Sequence, residues 1–182
     1  MRFDLDDRIT HPATLVLETM IERMERIVPF LANVESIDTQ EHIELPHGTI
    51  RIVRRWPGAA SAVPAPLSPF LSRDLFAWID TAIWTPAQYK VDWKHTAALP
   101  QVAKLYDCTG ENFFEPDPTA PDAATRMRLT GNLSIHADAI PGVPAFLGRR
   151  LAPQIERFIV GMIEPNLANL ATGLQRYFDH AH

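Results

Sequence analysis

Residues 142–180 read GVPAFLGRRLAPQIERFIVGMIEPNLANLATGLQRYFDH. Within them Leu147, Leu151, Ile155, Phe158, Met162, Leu170, Leu174 and Tyr177 recur three or four places apart, which sets them along one side of an α-helix. Roughly 30 helical residues rising about 1.5 Å each reach about 45 Å, more than is needed to cover a small core. Something broad must therefore lie beneath a helix at about 143–180. Pro153 either sits in its first turn or kinks it, and Pro165 bends it, because each proline removes one helical hydrogen bond.

The residues upstream, 75–138, alternate as antiparallel strands do and supply that partner. Phe76, Trp78, Asp80, Ala82 and Trp84 share one face of a first strand, and Thr85-Pro86-Ala87-Gln88 is a turn. Tyr89, Val91, Trp93 and His95 share one face of the next, with Lys90, Asp92, Lys94 and Thr96 toward solvent. A third strand, about 102–115, is read with Leu105, Asp107 and Phe113 inward and a bulge near Thr109-Gly110. In a fourth, Met127, Leu129, Leu133 and Ile135 oppose Arg126, Arg128, Thr130, Asn132 and Ser134. The expected partner is thus a curved sheet gripping the helix.

Further out, Phe3, Leu5 and Ile9 alternate with charged residues as a first strand, and Asp7 breaks its inner face. Thr10-His11-Pro12 starts a helix buried through Leu15, Met20, Ile21 and Met24, which Pro29 ends or kinks before a short turn. Ile37, Ile43 and Leu45, the turn Pro46-His47-Gly48, then Ile50, Ile52 and Trp56 read as a hairpin with Arg54 on the inner parity. Residues 57–72, rich in proline and alanine, are a connecting loop; a lid over a cavity or a membrane contact is the alternative.

The totals agree with one globular domain spanning 1–182. The chain is 46% hydrophobic and 21% charged, with a formal charge of -5 and no basic stripe, which argues against a nucleic-acid binder. Cys108 stands alone, so no intrachain disulfide and no thiolate metal cluster can form. The N-terminus lacks the apolar core of a secretion signal and no run approaches a membrane span, so a cytoplasmic location is the expectation. His11, His42, His47, His136, His180 and His182 are scattered, and neither a metal nor a cofactor is expected.

Strand, one or two short helices, hairpin, four further strands and a long terminal helix form an element order that resembles the START-like, or Bet v 1-like (SRPBCC), helix-grip superfamily. The opening Phe3-Asp4-Leu5-Asp6-Asp7-Arg8-Ile9-Thr10-His11-Pro12-Ala13 is similar to its usual first strand, which passes through a proline into the first helix. The long loop after the hairpin also resembles the PRELI-type phospholipid-transfer proteins. The resemblance implies an α+β fold, a curved antiparallel sheet of about six to seven strands wrapped around the C-terminal helix, with a cavity between them. Members bind or carry lipids, sterols, polyketides or hormones, some are cyclases or hydrolases, and some are co-chaperones, so the fold leaves function open.

Inward parity nominates Arg54, Trp78, Asp80, Trp84, Tyr89, Trp93, His95, Met127, Leu129, Phe158 and Met162 as ligand-binding residues. Residues at strand and helix spacing more often simply fill the core, and that reading leads for any single apolar member. The charged residues of that parity, Asp7, Arg54, Asp80, His95 and Asp107, must pair, reach the rim or line a wet pocket, because an unpaired buried charge costs several kcal/mol. Three functions follow: binding or transfer of a hydrophobic or amphipathic, lipid-like small molecule; a cyclase, dehydratase or hydrolase with His95 as general base oriented by Asp80 or Asp107; or an interaction module with a filled core. The first is preferred, with a hydrophobic small molecule or lipid as partner, no nucleic acid, no integral membrane segment, and a homodimer compatible with it.

Overall fold

The computed structural model describes residues 1–31, 34–57, 77–136 and 145–181, without the side chains of 101, 145–152, 154, 155, 158, 162 and 181. The elements run β1 (Arg2–Ile9), α1 (Ala13–Glu22), a 3-10 segment (Met24–Phe30), β2 (Asp38–Leu45), β3 (Thr49–Trp56), β4 (Trp78–Thr85), β5 (Lys90–Ala97), β6 (Tyr106–Pro116), β7 (Thr125–Ile135), α2 (Ala145–Ala168) and α3 (Leu170–Ala181). The strands form a seven-stranded antiparallel sheet in the order β1-β7-β6-β5-β4-β3-β2. Its ends are joined through α1 and the 3-10 segment, and α2 and α3 close over one face. The expected α+β architecture, sheet against terminal helix, is the one observed.

Alternation decides which side chains enter the core. On β1, Phe3 and Ile9 are buried, and on β4 the inner row is Trp78, Asp80, Ala82 and Trp84, as the pattern predicts. On β7, Met127, Leu129 and Leu133 are sealed from solvent. Proline at the start of α1 acts as its N-cap, with the Val16 N–H donating to the Pro12 carbonyl at 3.1 Å. The buried side of α1 is carried by Val16, Leu17, Met20 and Ile21, while Leu15 is only half-buried.

The third predicted strand needs correction. In β6 the inner row is Tyr106, Cys108, Asn112 and Phe114, and Asp107 is exposed, paired outside with Lys94 at 3.4 Å and His136 at 3.6 Å. Phe113 and Phe114 are adjacent, so either parity places an aromatic inward. The register breaks the tie: Cys108 stands opposite His95 on one side and Leu133 on the other. Pairing runs unbroken through Thr109 and Gly110, so the bulge expected there is absent; a register shift occurs instead between Thr39 and Glu41 of β2. On that same edge strand, Ile43 is exposed rather than inward.

The terminal helix is also redrawn. It continues through Pro153 and Pro165 and is interrupted at Asn169, where the backbone N–H and the side-chain Nδ2 both donate to the Pro165 carbonyl, at 3.0 and 2.7 Å. An asparagine side chain competing for a helical carbonyl is a local reason for the break. The buried stripe is Ile159, Ile163, Leu167, Leu170, Leu174 and Phe178, each worth roughly 1.5–3 kcal/mol when fully buried. Leu170 and Leu174 belong to the expected stripe and Tyr177 is half-buried beside it. The side chains of Leu147, Leu151, Ile155, Phe158 and Met162 lie outside the described residues, and so does the proline- and alanine-rich connecting loop from 58 onward, with its alternative reading as a lid.

Candidate functional site: a polar row inside an aromatic chamber

The strand register lines up chemistry that the sequence spaces far apart. Reading across the inner face, Thr39, Arg54, Asp80, His95 and Cys108 are successive cross-strand partners on β2 to β6. On one side of this row stand Trp56 and Trp78, stacked with ring centroids 5.6 Å apart. On the other side lie Ile52, Ala82 and Trp93, then Ile50, Trp84 and Val91. Ala82 is the small residue in this floor, and the space above it is what the neighbouring indoles leave open.

That space is a cavity of about 70 Å³. Its walls come from Met20 and Met24, from Arg54 and Trp56 of β3, from the inner rows of β4 and β5, and from Asn112, with Asn166, Leu167 and Leu170 of the terminal helices opposite. At about 30 Å³ of liquid volume per water it has room for roughly two waters. It is far smaller than a phospholipid.

Arg54 is 2% exposed, yet it is not left without partners: its Nη2 donates to the Ile21 carbonyl at 2.5 Å and its Nε to Thr39 Oγ1 at 3.4 Å. Burial pushes the guanidinium down, against the opposing influence of Asp80, Glu25 and Glu22. His95 Nε2 lies 3.3 Å from Asp80 Oδ1, and its ring stacks on Trp93 with centroids 4.7 Å apart. Burial works against the charged imidazole, but hydrogen bonding and charge from Asp80 and Cys108 outweigh it and raise His95 to about 9. At neutral pH this ring is therefore an imidazolium, able to give a proton and not poised to take one.

Trp93 makes the other internal polar contact, donating from Nε1 to Asn112 Oδ1 at 2.8 Å. Two indoles of the wall are different. Trp56 Nε1 and Trp84 Nε1 are buried N–H groups with no acceptor among the described residues, and Asp80 Oδ1 has its ion-pair contact with His95 but no aligned hydrogen bond. Each such group costs about 1–3 kcal/mol if it stays dry.

Of the residues nominated from sequence, the chamber brings together Arg54, Trp78, Asp80, Trp84, Trp93 and His95. Tyr89 does not join them: it caps the turn after β4 in a left-handed conformation, φ 54°, and lines a shallow outer depression with Leu17, Ile21 and Ile50. Met127 and Leu129 are packed solid in β7, away from the cavity. Asp7 is half-buried on β1 opposite Met127. Trp56, Ala82 and Asn112 were missed as lining residues. Trp56 shares the parity of Arg54 and could have been found; Asn112 was hidden by the misread parity of β6. Among the described residues no cluster of three or more His, Cys, Asp or Glu side chains could hold a metal.

The fold has solved counterparts. Norcoclaurine synthase from Thalictrum flavum is similar with a TM-score of 0.56 at 8% identity, over 100% of this chain and 87% of that one. The di-domain ARO/CYC StfQ from the steffimycin biosynthetic pathway gives 0.46 at 13% identity over 100% and 52%, and Ara h 8.0201 gives 0.45 at 10% over 89% and 94%. No protein-family model matches the sequence, and no curated protein does. At these identities the likeness concerns the fold, which is the Bet v 1-like helix-grip fold that the element order predicts.

Proposed function

We propose that this chain binds or transfers a hydrophobic or amphipathic small molecule in the space between the sheet and its terminal helices. The observation that carries the reading is an aromatic chamber whose buried indole N–H groups, on Trp56 and Trp84, have no acceptor among the described residues. Native proteins pair such groups, with water or a ligand where the protein offers nothing. The volume restricts the occupant to a compact molecule, or to the compact end of a larger one. Among the described residues no helix is long and apolar enough to cross a membrane.

Non-denaturing mass spectrometry of the full chain tests this, comparing wild type with Ala82→Leu, which extends a side chain into the space. The expected result is a small-molecule adduct on the wild type that the variant lacks. A wild type free of adduct, together with a variant that is more stable, would mean a dry hole that a leucine fills, and would favour the interaction-module reading.

A second reading is favoured by one contact. The His95–Asp80 ion pair sits in the chamber wall, and an imidazolium there is a proton donor to a bound carbonyl or leaving group. This is an enzyme of the cyclase, dehydratase or hydrolase kind in which His95 acts as acid. Turnover lost in His95→Gln with binding retained would select it over simple binding.

A further inference from the structure

We propose that two copies of this chain associate by pairing β2 of one with β2 of the other, antiparallel about a two-fold axis through Ile43, so that two sheets become one. This surface lies apart from the chamber, and the inference does not depend on the binding reading above.

The strand itself sets the register. Among the described residues β2 is a sheet edge, paired with β3 along one side only. The register shift between Thr39 and Glu41 interrupts it at one end, and Pro46, which has no N–H, follows it at the other. Its regular part is therefore 41–45, and the midpoint of that part is Ile43. Neither proline nor lysine, residues that commonly blunt an edge, stands within it. A two-fold axis at Ile43 pairs the whole of this part with its copy: Ile43 opposite Ile43, and, on each side of the axis, His42 opposite Glu44 and Glu41 opposite Leu45.

The side chains favour that same register. Ile43 is 45% exposed, and apart from Met1 it is the one exposed large hydrophobic among the described residues. Alternation puts it on the outer face of the sheet with Leu45 and Val53, both half-buried, so that in the pair each isoleucine covers the other. On the inner face His42 meets Glu44 of the second copy, a donor ring against an acceptor carboxylate. The nearest carboxylate of its own chain, Glu22, is 3.9 Å from His42 Nε2, too far for a hydrogen bond. Glu41 is ion-paired with Arg51 of its own chain, which compensates its charge beside Leu45 of the second copy. Moving the axis by one residue undoes the match. At His42 it sets Gln40, from the irregular part, against Glu44; at Glu44 it sets two carboxylates face to face and brings Pro46 opposite His42. Because both copies use the same strand, association closes at two.

Sedimentation equilibrium of the full chain over about 1–200 μM tests this in wild type, Ile43→Lys, Glu44→Lys and the double variant His42→Glu/Glu44→Lys, each checked by thermal unfolding. The wild type is expected to rise with concentration from the mass of one chain toward that of two and no further. Ile43→Lys should weaken association at least about tenfold, since an edge lysine opposes pairing. Glu44→Lys, which sets a cation opposite His42, should weaken it several-fold. The double variant exchanges the two roles, so glutamate again faces a base, and association should recover to within about threefold of the wild type. A single-chain mass throughout, a dimer unmoved by Ile43→Lys, or species that grow beyond two copies would overturn the proposal. Dimers that both single variants break and the exchange does not restore would overturn the register centred on Ile43. Glu44 is exposed, so its variants keep the test decisive if Ile43→Lys does not fold.

Discussion

At the scale of single residues, His95 couples protonation to stability. Its imidazole, near 6.5 when unfolded, is raised to about 9 in the folded chain, because Asp80 and Cys108 overcome the burial that opposes its charge. The folded state therefore binds the proton more tightly. Stability from this group is complete below about pH 6.5, declines as pH rises through the interval to about 9, and is gone above it. With one pKa unit worth about 1.4 kcal/mol, the whole effect is on the order of 3 kcal/mol. Urea unfolding at a series of pH values should show this fall in the wild type and a flat response in His95→Gln across the same window. An identical decline in both proteins would assign the titration to another group. His95 and Asp80 were both legible as inward residues from strand parity alone. Their contact was legible only as one of two alternatives, Asp80 or Asp107, because the choice depends on which residue of β5 stands opposite Asp80, and that is set by the turn at Pro86–Gln88.

At the scale of elements, the position of Trp93 depends on what the next two strands lack. Trp93, Gly110 and Gly131 are cross-strand neighbours on β5, β6 and β7, and the indole lies over both glycines while its Nε1 reaches Asn112. A Cβ at Gly110 would collide with both the Trp93 ring and the Thr130 carbonyl oxygen, whereas at Gly131 the nearest atoms are Trp93 Cη2 at 3.0 Å and Thr109 O at 3.1 Å. Gly110→Ala is therefore expected to cost about 2–3 kcal/mol and Gly131→Ala about 1 kcal/mol or less. Thermal or urea unfolding gives the ranking, and loss of the normal Trp93 environment in the first variant should register in near-ultraviolet circular dichroism. A reversed order would mean that the indole does not rest on the sheet. Elements with one unambiguous stripe, such as β4 and β7, could be oriented from sequence. β6 could not, since its adjacent phenylalanines serve either parity, and the terminal helix carries apolar residues at neighbouring positions, 158 beside 159 and 162 beside 163, which periodicity cannot rank.

At the scale of the whole molecule, the sheet is open, and its two edges are held differently. Edge strand β1 is pinned to β7 along its length, and the N-terminal ammonium donates to the Leu133 carbonyl at 2.7 Å. It is further tied by Arg126 to Asp6 and by Arg8 to Asp117 at 2.7 Å. Hydrogen bonds from Thr119 and then Arg8 hold the Asp117 carboxyl down at about 2, so this tie persists in mild acid. Among the described residues edge strand β2 pairs only with β3, is broken by the register shift at Thr39/Glu41, and leaves Ile43 45% exposed. Local opening draws on buried contact and pairing, both of which are rich in β6 and β7 and poor in β2. Amide hydrogen exchange should accordingly be slowest in β6 and β7, intermediate in β1, and fastest in β2. Protection in β2 equal to that in β7 and independent of protein concentration would contradict this ranking. Protection that appears only as concentration rises would instead report two copies pairing along that edge, since an edge strand bearing an exposed isoleucine is a surface on which a second chain can add.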